Sequence, residues 1–99
     1  MVVEHAYIAV EPTRQDEFEE AYAAAVPTLL GAQGCEAAAL FRDAETPGGY
    51  LLRVSWQRLS DHLEAFPSSG AGKEFGRAIA HFFVIEPEVR HFESEPVAR

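Results

Sequence analysis

Across GYLLRVSWQRLSDHLEAF, residues 49–66, the apolar spacing changes period at a single tryptophan. Tyr50, Leu52, Val54 and Trp56 alternate with Leu51, Arg53, Ser55 and Gln57, the period of two that a half-buried strand requires. Leu59, Leu63 and Phe66 then fall at i, i+4 and i+7, the stripe of a helix. Trp56, the only tryptophan in the chain, stands at the joint between the two. It either packs that corner or walls a site beside it.

The rest of the chain supplies matching elements. Val2 to Val10 reads as a strand, with Val3, His5, Tyr7 and Ala9 on one face and Val2, Glu4, Ala6, Ile8 and Val10 on the other. Thr13 and Asp16 have capping-box spacing ahead of a helix whose stripe is Phe18, Ala21, Tyr22, Ala25 and Leu29. Pro27 is expected to kink that helix or end its regular part, and Gly31 and Gly34 mark its exit. Cys35 to Arg42 is a short apolar strand, joined through DAETPGG to the strand at 49–56 as an antiparallel hairpin. Ser60 is placed as the N-cap of the second helix, with Asp61 and Glu64 in its first turn. PSSGAG interrupts that helix, and Phe75, Ala78, Ile79 and Phe82 form a third helical stripe. Pro87 opens a last strand, EVRHFES.

The order β-α-β-β-α-β, with right-handed crossovers, gives an α+β ferredoxin-like fold: a four-stranded antiparallel sheet with the helices on one face. With 99 residues there is room for one core, so residues 1–95 are expected to form one domain and 96–99 a frayed tail. The other sheet face has no helix to cover it. Ala6, Ile8 and Val10 are expected there, and an apolar face of that kind predicts a homodimer packed sheet to sheet.

Charge narrows the partners. Sixteen acidic against eight basic residues leave a formal −8, the wrong sign for binding nucleic acid phosphates or an anionic membrane surface. MVVEHAYIAVEP lacks a basic n-region, no apolar run approaches a membrane span, and the one cysteine, Cys35, has no internal disulfide partner; a cytoplasmic protein is expected.

Four histidines, His5, His62, His81 and His91, could carry chemistry, but none lies in a close metal-ligand motif, and no metal is expected. His91 is expected on the strand beside the first, as a neighbour of His5. With Tyr7 on its face, His5 is read as lying beneath the helices, where it is either a hydrogen-bonded structural side chain or a pocket base. Cys35, without an evident base, reads as a small apolar residue. Leu52, Phe66, Phe75, Ile79 and Phe82 are core side chains that could also line an apolar pocket between helices and sheet.

Taken together, the opening strand, RQDEFEEAYAAA, GC entering the second strand, LLRVSWQRLSDHLEAF, EFGRAIAHFF and PEVRHFE resemble the antibiotic biosynthesis monooxygenase (ABM) family over Val2 to about Glu93. The resemblance implies a dimeric α/β barrel that oxidises small aromatic, polyketide-like or quinol substrates with O₂ and without metal or organic cofactor. The pocket would deprotonate the substrate and hold its anion against dioxygen. Trp56 matches the tryptophan that walls the pocket, and His62 falls near a tyrosine position. Leu52 stands where some quinone-forming members carry Asn. The haem-degrading branch fits less well: its catalytic Asn falls at His5, and its later Trp and helix His find no counterpart near Ala65 and in GKEFGRA.

The expected site is therefore His5 as base or donor, Trp56 as wall, and His62 and Tyr7 as orienting groups. Leu52, Phe66, Phe75, Ile79 and Phe82 complete the expected pocket. The alternative reading is a non-catalytic dimeric module that binds a small apolar molecule; a third is a dimerisation scaffold alone.

Overall fold

The computed structural model describes residues 1–98; Arg99, the last residue of the expected tail, lies outside the described residues. Strands β1 (Val2–Ala9), β2 (Cys35–Arg42), β3 (Gly49–Trp56) and β4 (Glu88–Glu93) form one antiparallel sheet in the order β2-β3-β1-β4. Helix α1 (Gln15–Leu30) links β1 to β2. A broken helical connection links β3 to β4: a π-helical turn (Asp61–Ala65), α2 (Phe66–Ser68), α3 (Gly70–Ile79) and a 3-10 turn (Ala80–Phe82). This is the ferredoxin-like α+β arrangement, with α1 and α3 packed together over one sheet face. No helix is long and apolar enough to cross a membrane among the described residues.

The core forms where the stripes predict. Phe18, Ala25 and Leu29 of α1 and Phe75, Ile79 and Phe82 beyond it are buried against Tyr50, Leu52, Val54 and Trp56 of β3. Phe18 sits between Tyr50 and Phe82, with ring centroids 4.9 and 5.6 Å away, the tilted and edge-on contacts that aromatic quadrupoles favour. Burying each such side chain contributes about 1.5–3 kcal/mol.

On β1 the faces are reversed from expectation. Ala6, Ile8 and Val10 are buried beneath the helices together with Glu4, while His5 and Tyr7 point to the uncovered face. A two-residue period says which side chains share a face, but not which face is covered. Here three apolar side chains outweigh the cost of burying one carboxylate, because Trp56 supplies that carboxylate with a donor.

The helix ends also differ in detail. Pro27 lies inside α1, which continues to Leu30. The chain enters α1 through a 3-10 turn, Pro12–Arg14, so Thr13 is part of that turn and no side chain caps the helix. Ser60 makes no side-chain cap either; buried Asp61 accepts instead from the Arg58 backbone N–H at 3.1 Å and from Gln33 Nε2 at 3.0 Å. Asp61 fills the space a β-carbon on Gly34 would need, and Gly34 has a φ of +78°, so this corner requires glycine. Ser69 caps α3 by accepting from the Gly72 N–H at 2.9 Å.

Candidate functional site

The corner between β3 and the π-helical turn fixes three side chains. Trp56, fully buried at the end of β3, donates from Nε1 to Glu4 Oε1 at 2.9 Å. His62, held one residue beyond anchored Asp61, stacks on the indole with centroids 5.2 Å apart and planes 16° from parallel. Its Nε2 lies 3.4 Å from Glu4 Oε1. The wide π turn, a form that recurs at functional sites, is the local structure that carries His62. Register supplies the fourth member: Glu4 of β1 pairs with His91 of β4, and His91 Nε2 lies 2.7 Å from His62 Nδ1.

Burial shifts Glu4, His62 and His91 each toward its neutral form. Burial pushes the Glu4 carboxyl above its usual range, opposed by the Trp56 hydrogen bond. Burial, and then the neighbouring His91, lowers His62 to about 4; burial also lowers His91. The 3.4 Å contact with Glu4 has ion-pair distance, yet a histidine that titrates near 4 is uncharged at neutral pH. The contact is therefore one between a carboxyl group and a neutral imidazole. One of the two imidazoles donates to the other across the 2.7 Å contact.

Glu4 and His62 open onto a cavity of about 190 Å³ between the sheet and α3. Its walls are otherwise apolar, with Leu52, Phe66, Phe75 and Ile79 among them, and among the described residues Glu4 and His62 are the only polar side chains on its lining. Glu4 Oε2 makes no hydrogen bond to protein among the described residues, so it is the oxygen left for a ligand. A volume below the usual 300–1,000 Å³ of drug-sized sites suits one or two rings with a hydroxyl at one end.

Leu52, Phe66, Phe75 and Ile79 thus lie where expected, on the cavity wall. Trp56 lies behind the wall: it packs the corner and orients Glu4 and His62 without itself lining the space. His5 and Tyr7 are corrected in position. His5 lies on the uncovered face between Arg53 and Arg90 in register, its ring 5.3 Å from Phe92, so it does not share a cavity with His62. The Tyr7 hydroxyl bonds Asp43 on that same outer side. Phe82 packs against Phe18 beneath the Arg14 guanidinium, outside the lining. Burial raises the Cys35 thiol, which disfavours the thiolate.

Glu4 is not among the residues expected at the site, and His91, a candidate expected beside His5, belongs to this cluster instead. A carboxylate within the apolar set Val2, Ala6, Ile8 and Val10 is a usable signal, since such a side chain needs a partner. His91 was displaced by one register step: β4 places Arg90 beside His5 and His91 beside Glu4. Among the described residues, no three His, Cys, Asp or Glu side chains are placed to hold a metal ion.

The ferredoxin-like fold of this chain is shared by many solved protein chains. A Bordetella bronchiseptica protein described as a candidate antibiotic biosynthesis monooxygenase superposes with a TM-score of 0.90 at 33% identity, over 96% of this chain and 97% of its own. A Caulobacter crescentus protein described in the same way superposes with a TM-score of 0.81 at 18% identity, over 96% and 90% of the two chains, a likeness of fold alone. The uncharacterized Bacillus subtilis protein YczJ is 33% identical over 93 residues, covering 94% of this chain and 98% of that protein. The profile of the antibiotic biosynthesis monooxygenase family matches residues 1–81, and the chain belongs to that family.

Proposed function

We propose that residues 1–95 form one cytoplasmic, homodimeric monooxygenase domain that oxygenates a small hydroxylated aromatic or quinol without a cofactor. The observation that carries this reading is Glu4: a buried carboxyl of raised basicity, oriented through Oε1 and free at Oε2, at the polar end of an apolar cavity. Glu4 takes the substrate's hydroxyl proton, a role worth about 10²–10⁴ in rate. Trp56 and His62 hold the carboxylate in place, and the apolar walls exclude water from the electron-rich anion. The ring then reduces dioxygen. Naphthohydroquinone and O₂ would give hydroxynaphthoquinone and water: one oxygen atom enters a ring C–H bond, the other leaves as water, and the substrate supplies all four electrons.

The uncovered sheet face supports the dimer. Leu51 lies between its register partners Tyr7 and Phe41, and Phe41, Tyr7 and Phe92 are exposed there.

The test is oxygen uptake by metal-stripped protein with naphthohydroquinone, after subtraction of spontaneous autoxidation. Saturable uptake with hydroxynaphthoquinone formed in step supports the reading. Absence of uptake, with binding of the quinol still detected by thermal shift, would favour the second reading, a small-molecule-binding module. That reading draws its support from Leu52, which leaves the wall apolar where some quinone-forming members carry Asn.

A further inference from the structure

We propose that His91 is the proton port of this cavity, exchanging with solvent the proton that Glu4 takes from the substrate. The proposal rests on the oxygenase reading above and adds to it a residue that does not itself line the cavity.

An apolar cavity that deprotonates its ligand must pass that proton out and take one back within each cycle, and no water-filled route is needed if side chains carry it. One continuous path of titratable groups leads away from Glu4. Glu4 Oε1 is 3.4 Å from His62 Nε2, and His62 Nδ1 is 2.7 Å from His91 Nε2. The path ends at the edge of the molecule, because β4 is an outer strand of the sheet. His91 is only partly buried there, and its Nδ1 makes no hydrogen bond to protein among the described residues. Imidazole suits this use, since it accepts at one nitrogen while releasing from the other.

The step balances. The Glu4 carboxyl rotates to bring its proton from the ligand side to the His62 side and passes it to His62 Nε2, His62 releases its Nδ1 proton to His91 Nε2, and His91 releases its Nδ1 proton to water. Each ring ends neutral in its other tautomer. The oxygenation releases no net proton, because the water it forms consumes the two hydrogens that the substrate loses. The path therefore runs inward when the O–O bond breaks and the departing oxygen is protonated. That inward run restores both tautomers.

The test uses the full chain and naphthohydroquinone, in dilute buffer, with His91→Ala and His91→Gln. The Gln amide can keep a hydrogen bond to His62 but cannot relay a proton, so it separates positioning from transfer. The expected result is that both variants remain folded at the assay temperature, keep KM, and lose roughly tenfold or more in kcat. Free imidazole should restore the rate of His91→Ala. Wild-type kcat in both variants, or a loss that imidazole leaves untouched, would overturn the port while the oxygenase reading stands. A wild-type protein that consumes no oxygen would overturn both, so the two failures are distinguishable.

Discussion

Trp56 and Glu4 meet diagonally across β3 and β1, the indole N–H donating at 2.9 Å to a carboxylate that is 6% exposed. The bond lets a charged side chain stand on a buried strand face. It also fixes which oxygen is left without a protein partner.

Trp56→Phe keeps an aromatic ring against His62 but removes the donor. Leaving Glu4 Oε1 short of a hydrogen bond should cost about 1–3 kcal/mol in urea unfolding. Adding Glu4→Leu to that variant should recover part of the loss, since an apolar pair needs no donor. A single variant as stable as wild type would mean that the bond does not anchor the carboxylate.

Stability should fall on acidification between pH 6.5 and about 4. His62 titrates near 4 in the folded chain and near 6.5 when unfolded, so in this window the unfolded chain binds the proton first. The loss from His62 is at most about 3 kcal/mol, and His91, also lowered, acts in the same direction. Glu4 opposes them: with its folded pKa raised, it gains its proton in the folded chain first, which returns part of the loss. Urea midpoints at pH 7.5 and pH 5 should therefore separate in wild type and draw together in His62→Gln. Equal separation in both proteins would remove His62 as the cause.

Gly76 lies on the cavity wall in α3, and a β-carbon there would meet nothing within 4 Å. Gly76→Ala should stabilise the helix by about 0.5–1 kcal/mol. Gly76→Leu should fill the space a ligand needs, so quinol binding is lost while the fold is retained. Thermal shift with and without naphthohydroquinone reads both effects; undiminished binding by Gly76→Leu would place the ligand elsewhere.

Leu51→Glu puts a charge in the middle of the uncovered sheet face, between Tyr7 and Phe41. Sedimentation should show a dimer for wild type and a monomer for the variant. A wild-type monomer at micromolar concentration would contradict sheet-to-sheet pairing.

Much of this fold is written in local spacing. The alternation from Tyr50 to Trp56 and the stripes through Phe18 and Phe75 each produce the element and the buried face they specify. What spacing does not carry is the choice between the two faces of β1, where both hold apolar side chains; the covering helices decide it. Leu52, Phe66, Phe75 and Ile79 were legible as cavity residues because each is apolar on a covered face. The polar end was not. It depends on a diagonal contact between Glu4 and Trp56 and on the register of β4, which are long-range pairings that no local pattern records.

The central claim is that chemistry resides on the helix-covered face, at Glu4, and not on the open face, at His5. Oxygen uptake with naphthohydroquinone by Glu4→Gln and His5→Ala, each compared with wild type, tests it most directly. The account predicts a loss of about 10²–10⁴ in kcat for Glu4→Gln and wild-type kcat for His5→Ala. Full turnover by Glu4→Gln, or its abolition in a correctly folded His5→Ala, would contradict it.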